Sequence, residues 1–167
     1  VLANGVVGVD GAVSLDATLP TGSYSLSLQV QANGETASSP ARAVAVDLTA
    51  PSVAFRTPAA DPAVVTEDAE PGTEGQQALL VLDVTEAAVV TARTATIEVD
   101  GVRVVGPVDV AAGSPAVFNR AVTLTPGDHA LRVCVQDAAG NEGCATRQVN
   151  ADPAIPGAVV ATVEVTD

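Results

Sequence analysis

Apolar and polar residues alternate along this chain in short runs, broken about every eight to twelve residues by Gly, Pro, Asn or Asp. Tyr24, Leu26, Leu28 and Val30 fall on one side of an extended backbone, and Ser25, Ser27 and Gln29 on the other. The same beat recurs in His129, Leu131, Val133 and Val135, with Arg132, Cys134 and Gln136 opposite. Period two with frequent turn residues predicts an all-β chain whose strands each bury one face. Asp100-Gly101, set between Ile97-Glu98-Val99 and Val102-Arg103-Val104, predicts a two-residue hairpin turn. No 3.6-residue stripe competes. The Ala-rich stretch Glu86–Thr94 is flanked by Val and Thr, whose branched side chains favour strand or loop over helix.

Two stretches of the chain match one another. Leu19-Pro20-Thr21-Gly22-Ser23-Tyr24-Ser25-Leu26 aligns with Leu124-Thr125-Pro126-Gly127-Asp128-His129-Ala130-Leu131, about 105 residues later. Downstream, Ala45-Val46-Asp47 aligns with Gln148-Val149-Asn150. A repeat of about 100 residues has the size of one β-sandwich domain. Its phase predicts the C-terminal part of a domain over 1–48, a complete sandwich over 49–150, and a linker with a first strand over 151–167. Pro51, Pro153 and Pro156 each stop a strand and stiffen the joins.

The junction Asp47-Leu48-Thr49-Ala50-Pro51-Ser52-Val53 resembles the D-T-T-A-P-x-V segment between bacterial immunoglobulin-like repeats of surface adhesins and fibres. Pro126-Gly127-Asp128-His129-Ala130-Leu131-Arg132-Val133 through Asp137-Ala138-Ala139-Gly140-Asn141 is similar to their P-D-G-x-Y-x-V-x-V…D-A-A-G-N segment. Gly140-Asn141-Glu142-Gly143-Cys144 is also similar to the hyalin-repeat variant, which places its other Cys in the first strand, whereas here it is Cys134. The resemblance covers the later half of the complete domain and both junctions. It implies tandem immunoglobulin-like β-sandwich domains, and it is specific for fold and weak for function.

Composition narrows the field. Hydrophobic residues make up 47% of the 167, but aromatics only 2%, because 30 Val and 31 Ala supply most of the apolar surface. Such a core is thin and built from many small contacts. All seven basic residues are Arg, against 20 Asp and Glu, for a formal net charge of -13. That field disfavours nucleic acid and anionic lipid. No apolar run approaches the length that spans a bilayer. Val1-Leu2-Ala3 shows no signal peptide, and Val163-Glu164-Val165-Thr166-Asp167 reads as mid-strand, so both ends look cut or matured from something longer.

Candidate chemistry is sparse. Nine residues separate Cys134 from Cys144, and two strands joined by a short loop can place them side by side as a disulfide, the alternative being free thiols. A disulfide points to an extracellular location. Cys134 has the parity of the outward face of its strand. His129 is the one histidine available to a nucleophilic triad, but it aligns with Tyr24 on an inward face, where a ring normally fills the core. Glu67-Asp68-Ala69-Glu70-Pro71-Gly72-Thr73-Glu74 reads as a mobile, solvated loop without fixed geometry for acid–base work. Calcium is the one cofactor to weigh. Asp47, Asp137, Asn141 and Asp152 gather around strand ends and linkers as hard oxygen ligands, although Asp137 and Asn141 also suit a self-bonded hairpin loop.

These readings converge on a non-enzymatic stalk or fibre segment of an extracellular bacterial surface protein. The alternative is an adhesin module that binds a carbohydrate or host protein through end loops. Its expected partners are neighbouring copies or adjacent immunoglobulin-like domains. The incomplete domain at 1–48 calls for completion by upstream chain or by a donated strand, with Val159, Ala161, Val163 and Val165 as the apolar side of such a strand. A tail of 17 residues is short of the roughly 50 a repeat would need, which favours upstream chain.

Overall fold

The structure, a computed structural model, describes residues 3–86 and 93–152, and its regular elements are all β-strands. The chain divides into two compact units, one reaching Thr49 and the other beginning at Ala50. Residues 153–167, including Val159, Ala161, Val163 and Val165, lie outside the described residues, as do 87–92.

The first unit contains β1 (Gly22–Leu26), β2 (Gln29–Ala32), β3 (Glu35–Ser38) and β4 (Arg42–Val46). β2 and β3 pair antiparallel, closed by Asn33-Gly34 with φ of 53° and 82°. Positive φ at both central residues is the type I′ turn that matches strand twist, and Asn-Gly adopts it at little cost. β1 pairs antiparallel with β4 from Gly22↔Val46 to Leu26↔Arg42. Between the two ladders the Ser39 N–H donates to the Leu28 carbonyl at 2.8 Å, and the Leu28 N–H donates to the Ser39 hydroxyl at 2.9 Å. The four strands are therefore one long hairpin with an irregular waist. Tyr24, Leu26, Val44 and Val46 share one face and are only half-buried. Every buried hydrophobic among the described residues lies between Ala63 and Ala151. The hairpin has an apolar face but no closed core.

The second unit contains β5 (Ser52–Thr57), β6 (Ala63–Val65), β7 (Gln76–Thr85), β8 (Arg93–Val99), β9 (Val102–Val110), β10 (Ala116–Leu124), β11 (Gly127–Asp137) and β12 (Glu142–Ala151). They form a three-stranded sheet, β10-β7-β5, and a five-stranded sheet, β6-β12-β11-β8-β9. Leu80, Leu82, Val84, Phe118 and Val122 of the first meet Ile97, Leu131, Val133, Val135 and Val149 of the second in one buried cluster. Two sheets sharing one core make a β-sandwich, and this strand order is immunoglobulin-like. Phe118 is the one buried aromatic among the described residues; small aliphatic side chains supply the rest, as the composition predicts. Asp100 and Gly101, with φ of 53° and 78°, make the expected type I′ turn between β8 and β9.

The opening strand serves both sheets. β5 pairs antiparallel with β7, and after a break β6 pairs in parallel with β12. Arg147 closes the gap between sheets on that side: its guanidinium stacks 5.0 Å from the Phe55 ring centre and its Nη1 lies 3.7 Å from Asp61. Pro51 lies against Gly143 near the start of β12, whereas Ala151 ends that strand. The chain thus enters and leaves the sandwich at opposite poles, about 30 Å apart at about 3.3 Å per residue.

The acidic loop is exposed, as the sequence predicts, and is bonded to β7. Asp68 Oδ1 accepts the N–H groups of Glu70 (3.0 Å) and Gln77 (3.2 Å), while the Ala69 N–H donates to the Gln77 carbonyl at 2.9 Å. The Gln77 amide in turn donates to the Glu74 carbonyl at 3.0 Å. An aspartate that mimics a backbone acceptor ties this loop to β7 in spite of Pro71 and Gly72.

Candidate functional site

Three polar constructions sit on the second unit, and each follows from register. The first is near the turn end of the β11–β12 ladder, where Cys134 and Cys144 face each other with Cα atoms 4.1 Å apart and are joined as a disulfide. That spacing belongs to a non-hydrogen-bonded pair, where side chains approach most closely. Cys134 has the outward parity of its strand and is covered, while Cys144 is exposed. Arg132 lies alongside, its Nη2 3.2 Å from Cys144 Sγ and its Nη1 3.1 Å from Glu98. Glu142 approaches both cysteines, but two sulfurs bonded to each other offer no thiolate to a metal. Breaking this bond is expected to lower stability by about 2–3 kcal/mol, because it closes a short loop. Urea titration of oxidised and reduced chains checks this; equal midpoints would contradict it.

The second construction is the β11–β12 turn. Asp137 Oδ1 accepts N–H groups from Ala139 (2.8 Å) and Asn141 (2.9 Å), and its Oδ2 accepts from the Asn141 side chain at 2.9 Å. Burial pushes the Asp137 carboxyl up, but hydrogen bonds from Asn141, Ala139 and Gly140 outweigh it and hold the pKa below its ordinary 3.8. Both oxygens are thus engaged in organising their own loop. Asp47 belongs to the first unit, where its Oδ1 accepts the Thr49 N–H at 3.0 Å. Asp152 lies beyond the far end of β12, its N–H donating to the Val65 carbonyl at 3.0 Å. Asn141 and Asp152 flank the whole of β12, about 35 Å apart at about 3.3 Å per residue. Asn141 and Asp152 therefore do not share one cation.

The third construction is at the opposite pole, at the start of β11. His129 Nδ1 lies 2.7 Å from Asp100 Oδ2, and its Nε2 lies 2.7 Å from the Thr125 carbonyl. Asp100 Oδ1 also accepts the Ala130 N–H at 2.8 Å. The inward-facing ring is well covered, as its parity predicts, and is held between two acceptors. The Asp100 carboxylate and the Thr125 carbonyl are both acceptors, so the protonated ring can donate to each; the Thr125 hydroxyl is 3.4 Å from Nε2. Tyr24, its aligned counterpart, donates its hydroxyl to the Pro20 carbonyl at 2.8 Å. Both rings bond the carbonyl four residues upstream, the arrangement of a tyrosine corner.

The hydrogen bond to Asp100, then that to Thr125, raises the His129 pKa above its ordinary 6.5. The Ala130 N–H, then His129, lowers Asp100 below 3.8. A raised histidine stabilises fully below about pH 6.5 and loses that contribution as pH climbs through the raised value; a lowered aspartate stabilises above about pH 3.8 and loses it as pH falls. The melting temperature of the second unit is expected to hold between these limits and to decline on the alkaline side. His129→Tyr should abolish the alkaline decline while keeping the corner bond. An unchanged decline in that variant would assign it elsewhere.

Fold and site together define an immunoglobulin-like sandwich module fastened by a disulfide, a self-capped loop and a charged corner. No protein-family model and no curated protein matches the chain. Among solved structures, the fibronectin(III)-like modules of Clostridium thermocellum CbhA are similar at 19% identity over 87% of this chain and 74% of that one, with a TM-score of 0.45. An engineered protein is similar at 22% identity over 66% of this chain and 22% of that one, with a TM-score of 0.41.

Proposed function

We propose that this chain is a structural module, a stalk or fibre segment of an extracellular bacterial surface protein built from tandem immunoglobulin-like domains. The observation that carries the reading is the path through the second unit, which enters beside the start of β12 and leaves at its end. Tension applied to the chain then runs along β5 and β12 and loads their hydrogen-bond ladders in shear. β12 lies between β6 and β11, so a network of backbone bonds resists the pull together. The disulfide suits an oxidising compartment. The acidic, lysine-free composition suits long assemblies that must stay soluble. Its partners on this reading are adjacent immunoglobulin-like domains or neighbouring copies.

Pulling the chain end to end in a single-molecule instrument tests this. The second unit should yield in one discrete step, and reduction of the disulfide should lengthen the release by about 3 nm, the span of nine extra residues. Gradual extension without a step would overturn the reading. Reproducible binding to one class of glycan on an array would favour the adhesin module instead.

A further inference from the structure

We propose that residues 158–167 of one copy add as a β-strand along the free edge of β1 and β2 in a second copy, joining chains head to tail. This rests on the structural reading above and names the partner of its first unit. The template is the second unit itself, where β8 pairs antiparallel with β11 through Val99↔Leu131, Ile97↔Val133 and Ala95↔Val135. The internal alignment carries Leu131, Val133 and Val135 onto Leu26, Leu28 and Val30. Among the described residues, β1 pairs only with β4 and β2 only with β3, so the position that β8 holds on β11 has no occupant there.

Burial registers the difference. Val133 is fully buried, whereas its counterpart Leu28 is 37% exposed. A cleft of about 1060 Å³ lies along this edge, lined by Leu26, Leu28 and Val30 together with Val6, Val13 and Leu15. A cleft with apolar lining residues beside a strand edge suits an extended segment with apolar residues at every second position.

The chain carries such a segment twice. Ala95-Thr96-Ile97-Glu98-Val99 in β8 recurs as Ala161-Thr162-Val163-Glu164-Val165, identical except for Val in place of Ile. Transferred to the β8–β11 register, Val165 stands opposite Leu26, Val163 opposite Leu28 and Ala161 opposite Val30. This segment thus repeats the strand whose place beside β1 and β2 is open among the described residues.

Two variants separate donor from acceptor. Val163→Arg should spoil the donated strand, and Leu28→Arg the groove. By light scattering, the wild-type chain should grow in mass with concentration, and each variant alone should stay monomeric. An equimolar mixture of the two should form a dimer of twice the monomer mass and nothing larger, since one intact donor and one intact groove remain. Thr162→Arg, at an outward position, should assemble as wild type does. A wild-type chain that stays monomeric to about 1 mM, a mixture that fails to dimerise, or assembly of Val163→Arg alone would each overturn the proposal. The thermal transition of the second unit, unchanged in both variants, verifies folding. Pulling monomeric Val163→Arg tests the stalk reading independently of assembly.

Discussion

Leu82→Ala is expected to destabilise the second unit by about 3–4 kcal/mol, enough to lower its melting temperature by roughly 15 °C for a domain of about 100 residues. Leu82 sits in the middle of β7, the central strand of the three-stranded sheet, and is fully buried against the opposing sheet. Truncation removes transferred apolar surface and leaves a cavity. The cost depends on whether neighbours can collapse into that space, and here they are mostly Val, Leu and Ala on hydrogen-bonded strands. Only Phe118 offers a large buried ring. Urea denaturation should show an earlier midpoint with an unchanged slope. A loss under about 1 kcal/mol would mean that the core repacks more freely than its dense ladders allow.

Gly143→Val is expected to cost about 3 kcal/mol, and Gly143→Ala somewhat less, by overpacking rather than by a cavity. A Cβ at this position would run into the carbonyl of Pro51. The obstacle is backbone, held where the chain enters the sandwich, so no rotamer change relieves it. Either β12 moves away from the start of β5 or the linker shifts. Denaturant titration of both variants should rank valine below alanine below wild type. Equal stability across the three would show that the linker gives way without resistance.

Much of this architecture was legible in the alternation of side chains. Leu131, Val133 and Val135 are buried as period two requires, and Asp100-Gly101 turns as its chemistry dictates. The outward parity of Cys134 and the short loop before Cys144 anticipated a facing pair. The local pattern could not reveal partnerships that depend on register between distant strands. His129 meets Asp100 across 29 positions, and Arg147 meets Phe55 and Asp61 only because the opening strand splits between sheets. The ties of the acidic loop were hidden for a related reason: Pro and Gly signal a break in regular structure but not the backbone bonds that Asp68 then accepts. Asn141 and Asp152 share a chemistry in sequence, and the length of β12 separates them in space.

The Tyr24 corner also makes the molecule optically selective. The chain holds one tyrosine and no tryptophan, so ultraviolet emission originates from a single ring in the first unit while the sandwich stays nearly dark. That phenol is tied to the Pro20 carbonyl, an environment that quenches and shifts its emission. Loosening of the hairpin therefore reads out as brightening of one fluorophore, with no background from the rest of the chain. Unfolding of the sandwich passes unseen at the same wavelengths and must be followed by circular dichroism. Two signals that do not overlap let each half be watched alone in the intact chain, without a label.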